Sequence, residues 1–358
     1  MTQTSETLRE YLAACRDSQQ ACDARGRLPP GSSRARVTSA NARWARAAEH
    51  RDRLEALLTR GARVGRRRAM PAQGTPRVTD SLTVLNCGLG RDSVAMLCLL
   101  ADGALRVDGA PLAPADLDAV IFADPGAEWA HTYATLPRVA ELCARLGVRF
   151  LALRKPPDDV WRANRRAKGS RETPAWCADE GGTIEEKAAR GHYHTRLPIL
   201  DEYRRFGTIA VTVSASCTSN HKVLPIRRCM EDLALERFGV GNIAWSSAAR
   251  KGLRPRHRVL LGIAADESSR AIDTGRPSYE RPVYPLVEMG VAKSDESPIL
   301  TRHGFEDVRK SGCVMCPYQP AGWFWVLRET EPAKWIEVLA YEAEALAVNP
   351  KLGGIVGG

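Results

Sequence analysis

The feature that most constrains the fold is a loop with two glycines between two apolar runs, in the stretch VLNCGLGRDSVAMLCLL at residues 84–100. The first run has the length of a buried strand, and the second begins after Asp92 and Ser93 as a helix does. Such a turn either only caps the helix or also binds a phosphate, because backbone N–H groups beside glycine form an anion-binding nest. The loop alone leaves both interpretations open.

Strand and helix patterns alternate after this loop. LDAVIFAD at 117–124 and VRFLALRK at 148–155 predict two further buried strands, and residues 132–146 predict the helix between them. This β-α-β-α-β order predicts a parallel sheet with helices on both faces. Ligands of such sheets bind at the carboxyl ends of the strands, where the glycine loop and Asp124 both fall.

The remaining segments predict three regions. These are a basic helical extension and linker at 1–78, a nucleotide-binding α/β domain at 79–290 with an insertion at 155–206, and a C-terminal Cys-x-x-Cys and helical region at 291–358. Within them the pattern predicts a strand at 206–216, a helix at 222–239, a strand running into a charged loop at 258–270, and helices at 321–329 and 332–347. The tryptophans of the last two helices are expected to fill a core.

The positive charge of the chain is concentrated at one end. The formal net charge is +10, and residues 1–78 carry sixteen arginines, no lysine and seven acidic residues, which leaves +9 in that segment. The spacing of its apolar residues predicts a helix near 38–61. Its basic face either contacts a nucleic-acid backbone or is a solvated surface that packs on the core through Trp44.

The sequence contains no apolar run of about 18 residues, so no membrane-spanning helix and no membrane partner are expected. The first residues lack the basic-then-apolar layout of a secretory signal, which favours a cytoplasmic location. The ten cysteines are therefore interpreted as thiols or metal ligands, not as a disulfide framework. Cys87, Cys98 and Cys143 lie in strand or helix patterns typical of small core residues.

Five motifs together resemble a known family. GLGRDS at 88–93 resembles the pyrophosphate loop SGGxDS of the adenine nucleotide alpha-hydrolase superfamily, with Gly88 in place of the Ser and Leu89 in place of the first Gly. A GLGxxS variant recurs in the phosphoadenosine phosphosulfate (PAPS) reductase-like branch. IFADPGAEWAHTY at 121–133 is similar to that branch's FADTGxExxxTY signature, with Pro125 replacing the Thr. CTSNHKVLPIRR, LGIAADESSR and SGCVMCPYQPAGW resemble its later elements, in the expected order.

The resemblance implies a Rossmann-like adenine nucleotide alpha-hydrolase fold and a site for ATP, or for a PAPS-like adenine nucleotide, with Mg²⁺. Asp92, Ser93 and Lys222 are the implied catalytic residues, since a lysine neutralises phosphate charge. The implied nucleotide-binding residues are Gly88, Leu89, Gly90, Arg91, Asp92, Ser93, Asp124, Glu128, Asp266, Glu267 and Arg270. Alternatively Asp124 only caps its turn, and the last three form a surface salt-bridge cluster.

The Cys-x-x-Cys pair suits a metal or a cluster. The spacing of Cys313 and Cys316 lets both thiolates reach one metal centre. The resemblance adds Cys217 as a third ligand, which would leave one iron of a [4Fe–4S] cluster open to sulfide or substrate. Cys229 or Cys177 would close the site as a fourth ligand. A structural zinc and a reduced thiol pair without metal remain alternatives.

Three functions compete. The favoured one is ATP-dependent sulfur transfer, in which an acceptor is adenylated, pyrophosphate leaves and sulfur displaces AMP. Nucleic acid is a candidate acceptor, and a sulfur-donor protein is a candidate partner. A sulfonucleotide (PAPS or APS) reductase is disfavoured, because such enzymes carry a nucleophilic cysteine near the C-terminus and no cysteine follows Cys316 here. A non-catalytic nucleotide-binding regulatory subunit is the third candidate.

Overall fold

The structure, a computed structural model, describes residues 80–157, 160, 175–177, 181–209, 216–272, 277 and 279–350. The chain divides into two units, Met1–Thr75 and Pro76–Gly358. The predicted basic helix and its contact with nucleic acid lie outside the described residues.

The described elements alternate between strands and helices along much of the chain. The strands are β1 Thr83–Asn86, β2 Arg106–Val107, β3 Ala110–Pro111, β4 Ala119–Ala123, β5 Phe150–Leu153, β6 His257–Leu261 and β7 Glu280–Val283. The α-helices are α1 Arg91–Ala101, α2 Ala130–Arg145, α3 Ile184–Ala189, α4 Ile199–Phe206, α5 Ser216–Thr218, α6 Leu224–Phe238, α7 Asn242–Arg250, α8 Pro285–Glu288, α9 Lys293–Arg302, α10 Ala321–Thr330 and α11 Pro332–Val348. Short 3-10 turns cover Pro114–Asp116, Ala175–Cys177 and Ala265–Arg270, and a π-helical turn covers Ser219–Val223.

Five strands form one parallel sheet in the order β5-β4-β1-β6-β7. The chain builds outward from β1 through β4 to β5, and then returns to the other side of β1 with β6. The loops after β1 and β6 therefore diverge, and such a switch point leaves a crevice at the carboxyl ends of the strands. The predicted α/β class with a parallel, Rossmann-like sheet is confirmed.

The sheet is covered on both faces, because alternate strand residues point to opposite sides. Leu85, Val120 and Leu260 join the cluster that contains α1, and all residues 93–100 of that helix are buried. Val84 and Ile121 join the opposite cluster, which α3 and α6 cover. The helix after the glycine loop is thus held firmly against the sheet, which fixes the position of its N-terminus.

A third apolar cluster joins the C-terminal helices to α4 and to the loop after β4. Trp323 and Trp335 pack against this cluster, as predicted. The prediction is wrong for Trp325, whose side chain is 64% exposed. No described helix has the combination of length and apolar character needed to cross a bilayer.

The sequence-based strand at 206–216 is wrong where the structure describes it. Phe206 ends α4, and Gly207 stops the helix with a φ of +57°, which Gly adopts without strain. Residues 210–215 lie outside the described ranges. The sequence patterns also missed β7, whose residues Glu-Arg-Pro-Val lack an apolar run; its Pro282 is tolerated because β7 is an edge strand.

Candidate functional site

A cleft of about 580 Å³ opens at the switch point between β1 and β6. Its walls come from the glycine loop, the start of α1, the π-helical turn and α6, the 3-10 turn after β6, and the segment that precedes the Cys-x-x-Cys pair. Its apolar lining residues include Ile121, Phe122 and Met230. Charged residues of both signs lie around the same cleft, among them Arg227, Lys293 and Lys310. The cleft thus combines apolar and charged surface, as ligand-binding pockets commonly do.

The glycine loop has a strained residue at its centre. Leu89 has a φ of +59°, a left-handed conformation that costs a non-glycine residue about 1 kcal/mol or more. Its side chain is buried in the core beside α1, and this burial offsets the strain. The family pattern has glycine at this position, and the observed φ gives the physical reason. Leu89 does not line the cleft.

Three glycines let backbone segments meet at the mouth of the cleft. A Cβ on Gly90 would lie 2.9 Å from the backbone nitrogen of Ser311, and one on Gly88 would lie 3.2 Å from the Ser311 Oγ. A Cβ on Gly262 would lie 2.8 Å from the backbone nitrogen of Ser93. Gly262 and Ser311 line the cleft but were not among the predicted site residues.

The first turn of α1 presents its backbone N–H groups at this mouth. Gly90 is the N-cap, and the Ser93 hydroxyl donates to the Gly90 carbonyl at 3.0 Å. Arg91, Asp92 and Ser93 all line the cleft together with Gly88 and Gly90. The positive end of the helix macrodipole therefore faces the space that an anion would fill.

A second carboxyl lies beside Asp92. Glu296 of α9 is fully buried; its Oε2 is 3.3 Å from the Arg91 Nε, and its Oε1 has no hydrogen-bond partner among the described residues. Burial first, and then the neighbouring Asp92 charge, raises the pKa of Glu296 to about 7. An acceptor oxygen buried without a donor beside a second carboxyl is satisfied either by a proton shared between the two carboxyls or by a cation.

Lys222 connects the cleft to the cysteines. It lies in the π-helical turn Ser219–Val223, a kind of distortion that often occurs at functional sites. Its Nζ is 2.7 Å from the Glu128 Oε1. Burial opposes the charge of Lys222, but the Glu128 carboxylate and Cys313 outweigh burial and raise its pKa.

Glu128 holds the same region from the other side. Its Oε2 accepts a hydrogen bond from the Gly312 backbone at 2.8 Å, and Glu128 and Cys313 form a β-bridge. The carboxylate is buried and does not line the cleft, so it positions Lys222 and does not contact the cleft space.

The three predicted ligand cysteines share one environment. Burial raises the pKa of the Cys313 thiol, Lys222 opposes that rise, and Cys316 and Cys217 interact with the same thiol. Within the described ranges, no group of three or more His, Cys, Asp or Glu is arranged to hold a metal ion. The two suggested fourth ligands lie elsewhere: Cys229 is in the core beneath the sheet, and Cys177 packs with Trp176. Cys87, Cys98 and Cys143 are buried, as predicted.

The other predicted site residues divide between the cleft and its surroundings. Asp124 caps its turn, since its Oδ1 accepts from the Gly126 nitrogen at 2.7 Å and from the Tyr133 hydroxyl at 2.8 Å. Glu267 and Arg270 line the cleft rim and pair with each other, and Glu267 also pairs with Lys293. Asp124 and Asp266 do not line the cleft.

Several cleft residues were missed from the sequence. Arg227 is paired with Glu280 at 2.8 Å, and both line the cleft together with Glu296 and Lys310. Arg227 lies inside the quoted CTSNHKVLPIRR element, and Lys310 directly precedes SGCVMC, so both were within reach of the motifs. Glu296 lies in an ordinary helical pattern, and nothing local distinguishes it.

Comparison of the chain with protein-family models and with curated proteins gives no match.

Proposed function

We propose that the protein is an ATP-dependent sulfur-transfer enzyme of the adenine nucleotide alpha-hydrolase type, in the PAPS reductase-like branch. The observation that carries the proposal is the position of Lys222. This lysine lines the nucleotide-sized cleft and also interacts with Cys313 and Cys316. One cation thus lies between a site suited to a nucleotide and a site suited to sulfur.

In this proposal the phosphates of ATP lie against the first turn of α1. The N–H groups after Gly90 and the helix dipole stabilise the anion, and the close approach of Ser311 to Gly88 and Gly90 shapes the loop. Lys222 and Arg270 add positive charge along the cleft. The adenine lies on the apolar part of the cleft that Ile121 and Met230 line, both on the α6 side of the sheet. Pyrophosphate release then requires that charge developing on the leaving group be neutralised in place.

Asp92 and Glu296 fit a Mg²⁺ ion that accompanies the triphosphate. Both line the cleft, and the partnerless Glu296 Oε1 offers a buried carboxylate oxygen, the ligand type that Mg²⁺ prefers. When bound, Mg²⁺ would neutralise phosphate charge. Glu296 would then be ionised, because the attraction to a cation would oppose the repulsion from Asp92.

Cys217, Cys313 and Cys316 would hold a [4Fe–4S] cluster. The donor set fits in its chemistry, because thiolates are the ligands that iron–sulfur clusters and zinc select, and Cys313 interacts with both Cys316 and Cys217. A cluster held by these three residues would supply iron to which sulfide could bind. Lys222 stabilises the negative charge of the thiolates, and Glu128 holds Lys222 in place.

The test of the proposed function is the cleavage of ATP by the purified protein. With Mg²⁺, sulfide and a nucleic-acid acceptor, AMP and pyrophosphate are expected in equal amounts. If the protein bound ATP but released no pyrophosphate with any acceptor tested, the regulatory function would be favoured. Sulfite released from PAPS or APS with a thiol reductant would favour the reductase.

The metal content of the anaerobically purified protein is a separate prediction. About four irons and four acid-labile sulfides per chain are expected, with loss of the cluster absorption band in Cys217→Ala, Cys313→Ala and Cys316→Ala. Cys229→Ala is the matched control, since that buried thiol lies in the core beneath the sheet. One zinc per chain, or no metal, would contradict the proposed cluster. Neither result would bear on the proposed nucleotide site.

A further inference from the structure

A smaller cavity of about 60 Å³ lies next to the nucleotide cleft. Lys310 and Ser311 line both cavities, so the two are neighbours across one short stretch of backbone. The smaller cavity is also bounded by Gly312, Cys316, Gln319 and Pro320, and by three aromatic rings, Trp129, Tyr318 and Trp323. It therefore reaches from the Cys-x-x-Cys pair to the edge of the proposed ATP site.

The aromatic rings give this cavity a shape suited to a flat ligand. The ring centroids of Trp129 and Trp323 are 5.4 Å apart and the ring planes cross at 79°; Trp129 is 2% exposed and backs the partly exposed Trp323. A planar ring that stacks on Trp323 gains the contact favourable for aromatic groups, while the buried Trp129 holds Trp323 in position. An aliphatic chain would gain only the apolar burial.

Size and charge narrow the ligand further. A volume of about 60 Å³ corresponds to roughly four to six water molecules, which matches a six-membered ring better than a fused purine. The described residues that line the cavity include one lysine and no carboxylate. Lys310 is exposed and would attract the backbone phosphate of a nucleotide whose base enters the cavity. A pyrimidine base in single-stranded nucleic acid combines these properties, because stacking on aromatic side chains is how unpaired bases are bound.

We infer that the small cavity binds a pyrimidine base of a single-stranded nucleic acid. Its identification as the acceptor subsite rests on the proposed function, whereas the binding of the base does not. Cys316 on the cavity wall then places a base beside the sulfur chemistry, and Lys310 and Ser311 place it beside the nucleotide.

The test is the affinity of the full-length protein for labelled single-stranded oligonucleotides, measured by fluorescence anisotropy without ATP. High salt suppresses binding that depends only on phosphate charge. An oligothymidylate is expected to bind more tightly than an oligoadenylate or an abasic strand of the same length. Trp323→Ala should weaken oligothymidylate binding by about tenfold, the effect of losing one stacked base.

Trp325→Ala is the matched control, because Trp325 lies on the same helix but is exposed and does not line the cavity. Trp323→Phe keeps a ring and should retain most of the affinity, which separates stacking from a folding defect. Equal losses in Trp323→Ala and Trp325→Ala would overturn the inference. So would equal binding of abasic strands, or no binding of oligothymidylate.

ATP cleavage measured on the same proteins keeps the two proposals distinct. Base-dependent binding without any pyrophosphate release would support the cavity and contradict the proposed enzyme. Pyrophosphate release with no base preference in binding would support the proposed enzyme and contradict the base-binding cavity.

Discussion

Replacing Asp92 by asparagine is expected to lower pyrophosphate release from ATP by about 10²- to 10³-fold, the usual cost of removing one electrostatic group from a catalytic site. Asp92 lies in the first turn of α1 and lines the cleft beside Glu296. The asparagine has the same shape and keeps the turn, but it removes half of the charge that would hold Mg²⁺. The loss should therefore be smallest at saturating Mg²⁺.

The same change should make the metal-free protein more stable at neutral pH. The pKa of Glu296 rises from 4.5 to about 7 on folding, so the folded state binds its proton more tightly. Stability from this group is present below pH 4.5 and is lost as the pH rises towards 7. The Asp92→Asn substitution removes the neighbouring negative charge, which lowers the pKa of Glu296 and reduces that loss. Urea unfolding without Mg²⁺ would measure the free energy of unfolding of the wild type and of Asp92→Asn. The difference between the two proteins should be smaller at pH 5 than at pH 8.

Asp266→Asn is the control for both measurements. This carboxylate was also among the implied nucleotide-binding residues, but it contacts the Lys293 backbone and does not line the cleft. Near wild-type cleavage is expected from this variant. If Asp92→Asn cleaved ATP as fast as Asp266→Asn, the proposed role of the glycine loop would be wrong.

The second large effect is expected from Glu128→Ala, which should destabilise the fold by about 1–3 kcal/mol, since Lys222 reaches solvent in the cleft. The carboxylate is buried, and it pairs with Lys222 at 2.7 Å and accepts from the Gly312 nitrogen at 2.8 Å. Alanine leaves a lysine charge without its partner and a backbone N–H without an acceptor. Denaturant unfolding would measure the change in the free energy of unfolding.

Two further variants serve as comparisons for the stability loss in Glu128→Ala. Glu267→Ala breaks pairs with Lys293 and Arg270 on the solvent-exposed rim, and such surface pairs contribute about 0–1 kcal/mol. Glu128→Ala combined with Lys222→Met should recover part of the loss, because the unpaired charge is gone. An effect of Glu128→Ala no larger than that of Glu267→Ala would show that the buried pair contributes little.

The sequence predicted those parts of the fold and of the site that are encoded locally. The run before Gly88 and the run after Asp92 are continuous and apolar because both are buried on all sides, so β1 and α1 were recognisable. Asp124 was also placed correctly at a strand end. The sequence left open whether its side chain caps the turn or contacts a ligand, and the bonds from the Gly126 nitrogen and the Tyr133 hydroxyl show the capping role.

The site residues that the sequence could not reveal are those brought together by packing between segments far apart in the chain. Glu296 is 205 residues from Arg91 along the chain, and only the packing of α9 against α1 brings it to Arg91 and Asp92. Gly262 lies inside the quoted LGIAADESSR element, but its role follows only from the backbone of Ser93 that lies against it. Strand β7 was missed for a different reason, because a charged, proline-containing edge strand has no apolar run to detect.

The β-bridge between Glu128 and Cys313 fixes the position of the Cys-x-x-Cys pair relative to the cleft. The Val314 nitrogen donates to the Ala127 carbonyl at 2.9 Å, and the Trp129 nitrogen donates to the Gly312 carbonyl at 3.3 Å. The segment at 312–314 is thus held by main-chain bonds to residues 127–129, in the loop that follows β4. The spacing between the cysteines and the cleft is therefore set by backbone geometry, so substitutions of surrounding side chains can alter the chemistry of either site without changing their separation.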